Sequence, residues 1–271
     1  VTKHCYSCSA HEGQKAITAM YRCLECGYYV CTKCNGIHRA LSDHTSVEID
    51  RLPKNLNLLI FCSKHKQQKL DYCCVDHDEL CCLECKQVYH SKCVKTEHID
   101  VLAKDCKDSK SFIDYRNQLD FCSNALTNTK VLVKDNIESI GRDSEQIKNT
   151  IGSSRDNKTV EAEYELQLKE HLKRMTQECL STLQKHISDA EEMEANTENL
   201  DRLFDFYGKT GSQKVLFRFI QSTKSDLSDT YKQTRALNEN FQRLYIHYRV
   251  QEDEISAVGG RIEVSKKKYP R

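Results

Sequence analysis

The sequence predicts small metal-binding domains followed by a long all-α coiled coil, and three observations carry that prediction. Cysteine is crowded at one end: thirteen of the sixteen lie between Cys5 and Cys93. Proline is nearly absent, with Pro53 and Pro270 the two in 271 residues, so 54–269 is free to form long helices. Hydrophobic residues make up 38% against 30% charged, with mean hydropathy −0.68, which is lean for one large core and ordinary for exposed helices.

The charge balance narrows the function. A net charge of +1 and a pI near 7.6 give no reason to expect nucleic acid or an acidic membrane as partner. No apolar run approaches the roughly 20 residues of a membrane helix, and no signal peptide is visible. The expected compartment is therefore the reducing cytoplasm. The chain opens on Val1 rather than methionine, which reads as a portion of a longer protein with a domain before it.

In a reducing compartment, cysteine pairs spaced C-x2-C and mixed with histidine point to zinc rather than disulfides. Two ligands three positions apart reach one ion from a tight turn, and a second pair completes the tetrahedron. The first series is Cys5-x2-Cys8, Cys23-x2-Cys26, Cys31-x2-Cys34 and His38-x5-His44. The second is Cys62-x2-His65, Cys74-x2-His77, Cys82-x2-Cys85 and His90-x2-Cys93. Each series holds four pairs, enough for two four-coordinate ions, so the segment is an internal repeat as well as a metal cluster.

Two doublets, Cys73-Cys74 and Cys81-Cys82, leave the second register to be decided. Starting one residue early pairs Cys73 with Asp76, but Cys81-x2 then lands on Glu84. Only Cys74, His77, Cys82 and Cys85 keep every spacing, so Cys73 and Cys81 are assigned to packing or free thiols. His98 is a possible substitute for Cys93 with a poorer spacing. Cys106, Cys122 and Cys179 are expected to be buried positions on helices.

The motifs YRCLECGYYVCTKCNGIHRALSDHTSVEI and CSKHKQQKLDYCCVDHDELCCLECKQVYHSKC resemble tandem B-box zinc fingers, a B-box 1 and a B-box 2, as in the tripartite-motif (RING, B-box, coiled-coil) family. The resemblance implies cross-braced sites. Cys5, Cys8, Cys31 and Cys34 would hold one ion, and Cys23, Cys26, His38 and His44 the next. Cys62, His65, Cys82 and Cys85 would share a third, and Cys74, His77, His90 and Cys93 a fourth. The chain departs from the pattern in three places. The gap from Cys8 to Cys23 is long, which leaves His11 as a rival ligand. His77 stands where vertebrate B-box 2 domains usually have aspartate, and Cys93 where they have histidine. Both are good zinc ligands. Four protein ligands per ion leave no open position for an activated water, so these four zinc ions are expected to be structural.

The expected domains are a first zinc domain over 1–50, a link over 51–60 and a second zinc domain over 61–103. The apolar Leu56, Leu58, Leu59 and Ile60 of the link are expected to pack the two domains together. Beyond it, Phe112, Leu119, Leu126, Val133, Ile140 and Ile147 recur every seven residues, with Tyr115, Cys122, Ile137 and Ile151 between them. Gly152-Ser153-Ser154 interrupts the pattern, which resumes through Leu168, Leu172, Met175, Cys179, Leu183, Ile187 and Ala190. A coiled-coil helix is expected over 104–207, roughly 150 Å long at 1.5 Å per residue. A lone helix of that length with one apolar seam requires a partner chain. Gly208 and Gly211 read as a turn, and a second helix over 208–258 runs through Leu216, Ile220, Leu227, Tyr231, Phe241, Leu244 and Tyr248. A solvated tail over 259–271 follows, including Lys266-Lys267-Lys268. The family resemblance implies an antiparallel homodimer with the short helix packed at its centre.

The expected function is a zinc-binding protein-interaction and homodimerisation scaffold, without nucleic acid or membrane as partner. The alternative is the B-box and coiled-coil portion of a RING-type E3 ubiquitin ligase whose RING lies outside these residues. No nucleophile–base pair, Gly-rich phosphate loop or open metal site is legible. A nucleic-acid-binding zinc protein is the third reading, and the two series lack the spacing of C2H2 fingers.

Overall fold

The computed structural model describes residues 3–9, 17–42, 44–153, 160–251 and 259–268. It divides into two compact units, Val1–Asp120 with Thr197–Asp229, and Phe121–Asn196 with Thr230–Arg271.

The first unit opens with two small Cys/His domains of one design. In the first, a short α1 (Tyr6–Ser9) precedes β1 (Tyr21–Cys23), β2 (Tyr29–Val30), α2 (Thr32–Ser42) and β3 (Ser46–Glu48). β1 lies between β2 and β3 and is antiparallel to both. The turn out of β1 depends on Gly27, at φ +75°, whose N–H donates to the Cys23 carbonyl over 3.1 Å. The second domain repeats the order with β4 (Tyr72–Cys74), β5 (Glu79–Cys81), α3 (Leu83–Val88) and β6 (Thr96–His98), followed by α4 (Ile99–Leu102). β4 is again central. Asp78, at φ 56°, takes the place of Gly27; aspartate is one of the few side chains that tolerate this region. The repeat of ligand spacing is thus a repeat of fold. Each domain's own apolar cluster is small and made largely of cysteine: Cys5, Val30 and Cys31 in one, and Cys62, Leu70, Cys81, Cys82 and Cys85 in the other.

What they lack in core they borrow from helices. α5 (Lys110–Ser153), α6 (Val160–Thr210) and α7 (Gln213–Asn240) each contribute to both units. In the first unit, Leu119, Phe204, Tyr207, Leu216 and Leu227 are fully buried, and Leu24 of the first Cys/His domain is buried with them. Phe112 and Tyr115 stack on Phe204 at 4.7 and 5.0 Å, and Arg116 pairs with Asp201 and Asp205. The link does more than join the two domains. Leu56 and Leu58 pack on this helical core, Leu59 on the second domain, and the Ile60 side chain against Gly27. The Tyr207 hydroxyl donates to the Asn57 carbonyl over 3.2 Å. α6 continues through Gly208 to Thr210, and the turn into α7 is made at Gly211 and Ser212. A Cβ on Gly211 would lie 2.8 Å from the Tyr207 carbonyl, so only glycine fits.

In the second unit, α5 and α6 pair in opposite directions: Lys130 bonds Glu194, and the Thr176 hydroxyl donates to Ser144 over 3.1 Å. The sevenfold repeat of α5 is buried as expected, from Leu119 through Leu126, Val133 and Ile140 to Ile147, and so are Leu172, Cys179, Leu183, Ile187 and Ala190 on α6. The seam is closed within one chain. This corrects the single helix over 104–207: α5 ends at Ser153, α6 begins at Val160, and the two run in opposite directions with α6 packed on the apolar seam of α5. Ser154 itself is outside the described residues.

A larger correction concerns the end of the chain. The second helix expected over 208–258 stops at Asn240, and the expected tail is not a tail. β7 (Gln242–Gln251) and β8 (Gly259–Lys268) form an antiparallel hairpin with Gln242 opposite Lys268 and Gln251 opposite Gly259. The reason is periodicity. Leu244 and Tyr248 are four apart, which is one helical turn but also two strand repeats, and Ile246 between them settles the choice. Leu244, Ile246, Tyr248, Ile262 and Val264 lie on one face of the hairpin and pack into the α5–α6 core. Asn136, completely buried on α5, fixes the register: its side-chain amide donates to the Leu244 carbonyl over 2.7 Å and accepts from the Leu244 N–H over 2.8 Å.

Candidate metal centres

All sixteen predicted ligands lie in the two Cys/His domains, and the fold gathers them into four groups of four. The groups are Cys5, Cys8, Cys31 and Cys34; Cys23, Cys26, His38 and His44; Cys62, His65, Cys82 and Cys85; and Cys74, His77, His90 and Cys93. Within each group the donor atoms all lie within 4.8 Å of one another. Local structure explains the crossing. In the first domain, the turn after β1 presents Cys23 and Cys26, and α2 begins beside Cys31 and carries Cys34 and His38 on successive turns. Cys31 and Cys34 return to the chain's first pair, whereas His38, a turn further on, faces the Cys23–Cys26 knuckle. In the second, the sulfur of Cys82 caps α3 by accepting from the Cys85 N–H over 3.4 Å. The Cys26 N–H meets the Cys23 sulfur at the same 3.4 Å.

The edges of these groups are those of a coordination tetrahedron. Metal–sulfur bonds of about 2.3 Å and metal–nitrogen bonds of about 2.0–2.1 Å give edges of roughly 3.8 Å between sulfurs, 3.6 Å between sulfur and nitrogen and 3.3 Å between nitrogens. The sulfurs of Cys8 and Cys34, and of Cys62 and Cys85, are 3.6 Å apart. Cys23 to His44 Nδ1 and Cys26 to His38 Nε2 are 3.5 Å, and Cys93 to His77 Nδ1 is 3.3 Å. His38 Nε2 to His44 Nδ1 is 3.2 Å, and His77 Nδ1 to His90 Nδ1 is 3.3 Å. Both contacts match the nitrogen–nitrogen edge. The residues present therefore fit four tetrahedral metal ions.

The electrostatics of the thiols reinforce the reading. Cys26 is brought to about 7 by the neighbouring Cys23 thiol, while Cys23 is pushed up by the same contact and by burial. Burial opposes ionisation of Cys74, yet hydrogen bonds from the His77 backbone and ring bring it to about 6. Burial likewise opposes ionisation of Cys5 and Cys62, and backbone N–H groups overcome it to hold each at about 7. Their partners go the other way: burial and adjoining thiols push Cys34 and Cys85 to about 12. One thiolate per site is accommodated and the next is refused. A divalent cation removes that refusal.

The surrounding groups are where the sequence was silent. Glu84 sits 3.4 Å from His65 Nε2, the nitrogen turned away from the site, and so fixes which nitrogen is presented as ligand. Glu25 accepts from the Thr45 N–H over 2.9 Å beside Cys23. The rejected register also finds its place. Asp76 accepts from the Val94 N–H over 2.5 Å, Cys81 packs among the apolar residues of its domain, and Cys73 accepts from the Gln221 amide on α7 over 3.1 Å. His98 caps α4, its Nδ1 accepting from the Asp100 N–H over 3.3 Å, outside the fourth group. His11, the rival ligand, lies outside the described residues. Cys106, Cys122 and Cys179 are buried among helices as expected, and all sixteen thiols are free of disulfides.

The second Cys/His domain is held to α7 by a row of charges. Arg218, only 5% exposed, donates to the Leu70 carbonyl over 3.1 Å and to Asp71 over 2.8 Å. Lys214 pairs with Asp100 at 2.8 Å, and Lys224 with Asp78. Positions 214, 218, 221 and 224 fall on one helical face, so a basic stripe on α7 meets an acidic edge of the domain. Among the described residues, no helix is long and apolar enough to cross a membrane. No family model, curated protein or solved structure matches the chain.

Proposed function

We propose that this chain is the tandem B-box and helical portion of a tripartite-motif-type protein, a structural-zinc scaffold for protein interaction in the reducing cytoplasm. The observation that carries the reading is the set of four Cys/His tetrahedra in two successive cross-braced domains, with every donor supplied by protein. Cys and His donors at tetrahedral spacing favour zinc over harder cations, which take oxygen ligands. Bound ions would supply on the order of 10 kcal/mol or more each toward folding domains whose own cores are a handful of residues. Metal analysis of the purified chain is expected to give four zinc ions per chain; two or fewer would overturn the two-domain reading.

Homodimerisation belongs to the same proposal. Two copies could form the α5–α6 seam by exchanging helices, with the same contacts made between chains as within one. Light scattering at micromolar concentration distinguishes the two, and a monomer there refutes the dimer. The ligase alternative rests on the cross-brace, an arrangement that the resemblance also implies for a RING. Ubiquitin transfer by this chain with E1 and E2 alone would favour it.

A further inference from the structure

The terminal hairpin was expected to be helix and solvated tail, and folding it into strands creates a surface that neither element would have. On a two-stranded ribbon every second residue shares a face. The inward face is apolar and packed through Leu244, Ile246, Tyr248, Ile262 and Val264, and ends at the exposed Lys266 and Lys268. The outward face carries Arg243, Tyr245, His247 and Arg249 on β7, opposite Lys267, Ser265, Glu263 and Arg261 on β8. On a helix these residues would have been spread around the axis.

The two ends of this face differ. Toward the hairpin's turn, Arg249 and Arg261 both lie against Glu263, at 3.5 and 3.7 Å, and the connecting segment, outside the described residues, contains Glu252, Asp253 and Glu254. At the other end the cations surround an aromatic ring. The Arg243 guanidinium lies 5.5 Å from the Tyr245 ring centre and the Lys267 ammonium 5.6 Å. The His247 ring runs nearly parallel to Tyr245, 12° apart with centres at 6.1 Å, and is held by a 2.8 Å bond to the Ser265 hydroxyl. Lys266, Lys267 and Lys268 are all exposed. Two adjacent, similarly oriented rings flanked by cations are the components of a stacking platform with phosphate contacts beside it.

We propose that this end of the hairpin binds single-stranded nucleic acid, with bases stacking on Tyr245 and His247 and phosphates contacted by Arg243 and Lys267. Charge complementarity supplies affinity, and the paired rings favour a nucleic-acid strand over an acidic peptide, which offers charge without π-faces. The Asn136 clip anchors this face on a rigid support, since it fixes Leu244 between Arg243 and Tyr245.

Fluorescence anisotropy of the zinc-loaded full chain with labelled 20-residue oligo(U) and oligo(dT) tests the proposal. Binding is expected to weaken with salt, with a log–log slope of about −1.4 for two phosphate contacts. Tyr245→Ala should weaken binding about tenfold with the slope unchanged, Tyr245→Phe should restore it, and Lys267→Ala should flatten the slope. These substitutions are at the surface, and circular dichroism checks that each variant is folded. No binding at 50 mM salt would overturn the proposal. So would binding indifferent to Tyr245, equal competition by poly-glutamate, or preferential uptake by vesicles of anionic lipid.

Discussion

Arg218 shows how one side chain can hold a small domain in place. Its guanidinium is buried against Asp71 and the Leu70 carbonyl, so truncation leaves a carboxylate short of a partner and a backbone acceptor unpaired. Arg218→Ala is expected to cost about 3–5 kcal/mol, read by denaturant unfolding of the zinc-loaded protein. Gly27 makes a second residue-scale prediction. A side chain there meets both the left-handed φ and the Ile60 methyl at 2.8 Å, so Gly27→Ala should destabilise the first Cys/His domain by at least about 1–2 kcal/mol, seen as faster amide exchange across β1–β3. The ligand thiols predict a pH dependence. Cys34 and Cys85 lie near 12 without a cation, and Cys23 is raised as well, so they are protonated at pH 7 and must release protons when metal binds. Zinc affinity is therefore expected to rise with pH and to be lost on acidification. Calorimetry in buffers of different ionisation enthalpy should show at least one proton released per ion in these three sites.

At the scale of elements, the apolar repeat of α5 was legible because a sevenfold pattern has one structural reading over so many turns. Its partner was not. Periodicity states that Leu126, Val133 and Ile140 need a facing surface, but not whether that surface is another chain or the same chain after a turn. The hairpin is not legible in the sequence because Leu244 and Tyr248 satisfy both helical and strand spacing, and because Asn136 carries no signal of its own. A buried asparagine in a heptad looks like an interruption, yet it is the residue that pairs with the backbone of β7. Asn136→Ala would leave the Leu244 N–H and carbonyl unpaired in the core, costing about 2–4 kcal/mol. Hydrogen exchange should then show β7 and β8 losing protection before α5 does.

At the scale of the whole molecule, the two units respond differently to metal. The ligands belong entirely to the first unit, while the core of the second is built from α5, α6 and the hairpin. Chelation is expected to unfold residues 17–98 locally and to leave 121–153 and 160–196 protected, which exchange mass spectrometry reads directly. Cys82→Ala should unfold the second Cys/His domain in the same way without altering the hairpin.

The sequence by itself determined which Cys and His residues pair as candidate metal donors; which pairs share an ion was implied only by the family resemblance. Ligand spacing is a local property, set by turns of three or four residues, and the doublets at Cys73-Cys74 and Cys81-Cys82 left one register that preserved it. It also determined which helical residues are buried, because helical periodicity is equally local. Tertiary structure alone decided what those surfaces meet: α6 closing the seam of α5, α7 presenting Lys214, Arg218 and Lys224 to the second Cys/His domain, and a hairpin in place of a tail. Each joins residues far apart in the chain, and the energies that select among such pairings belong to the assembled core rather than to any segment of it.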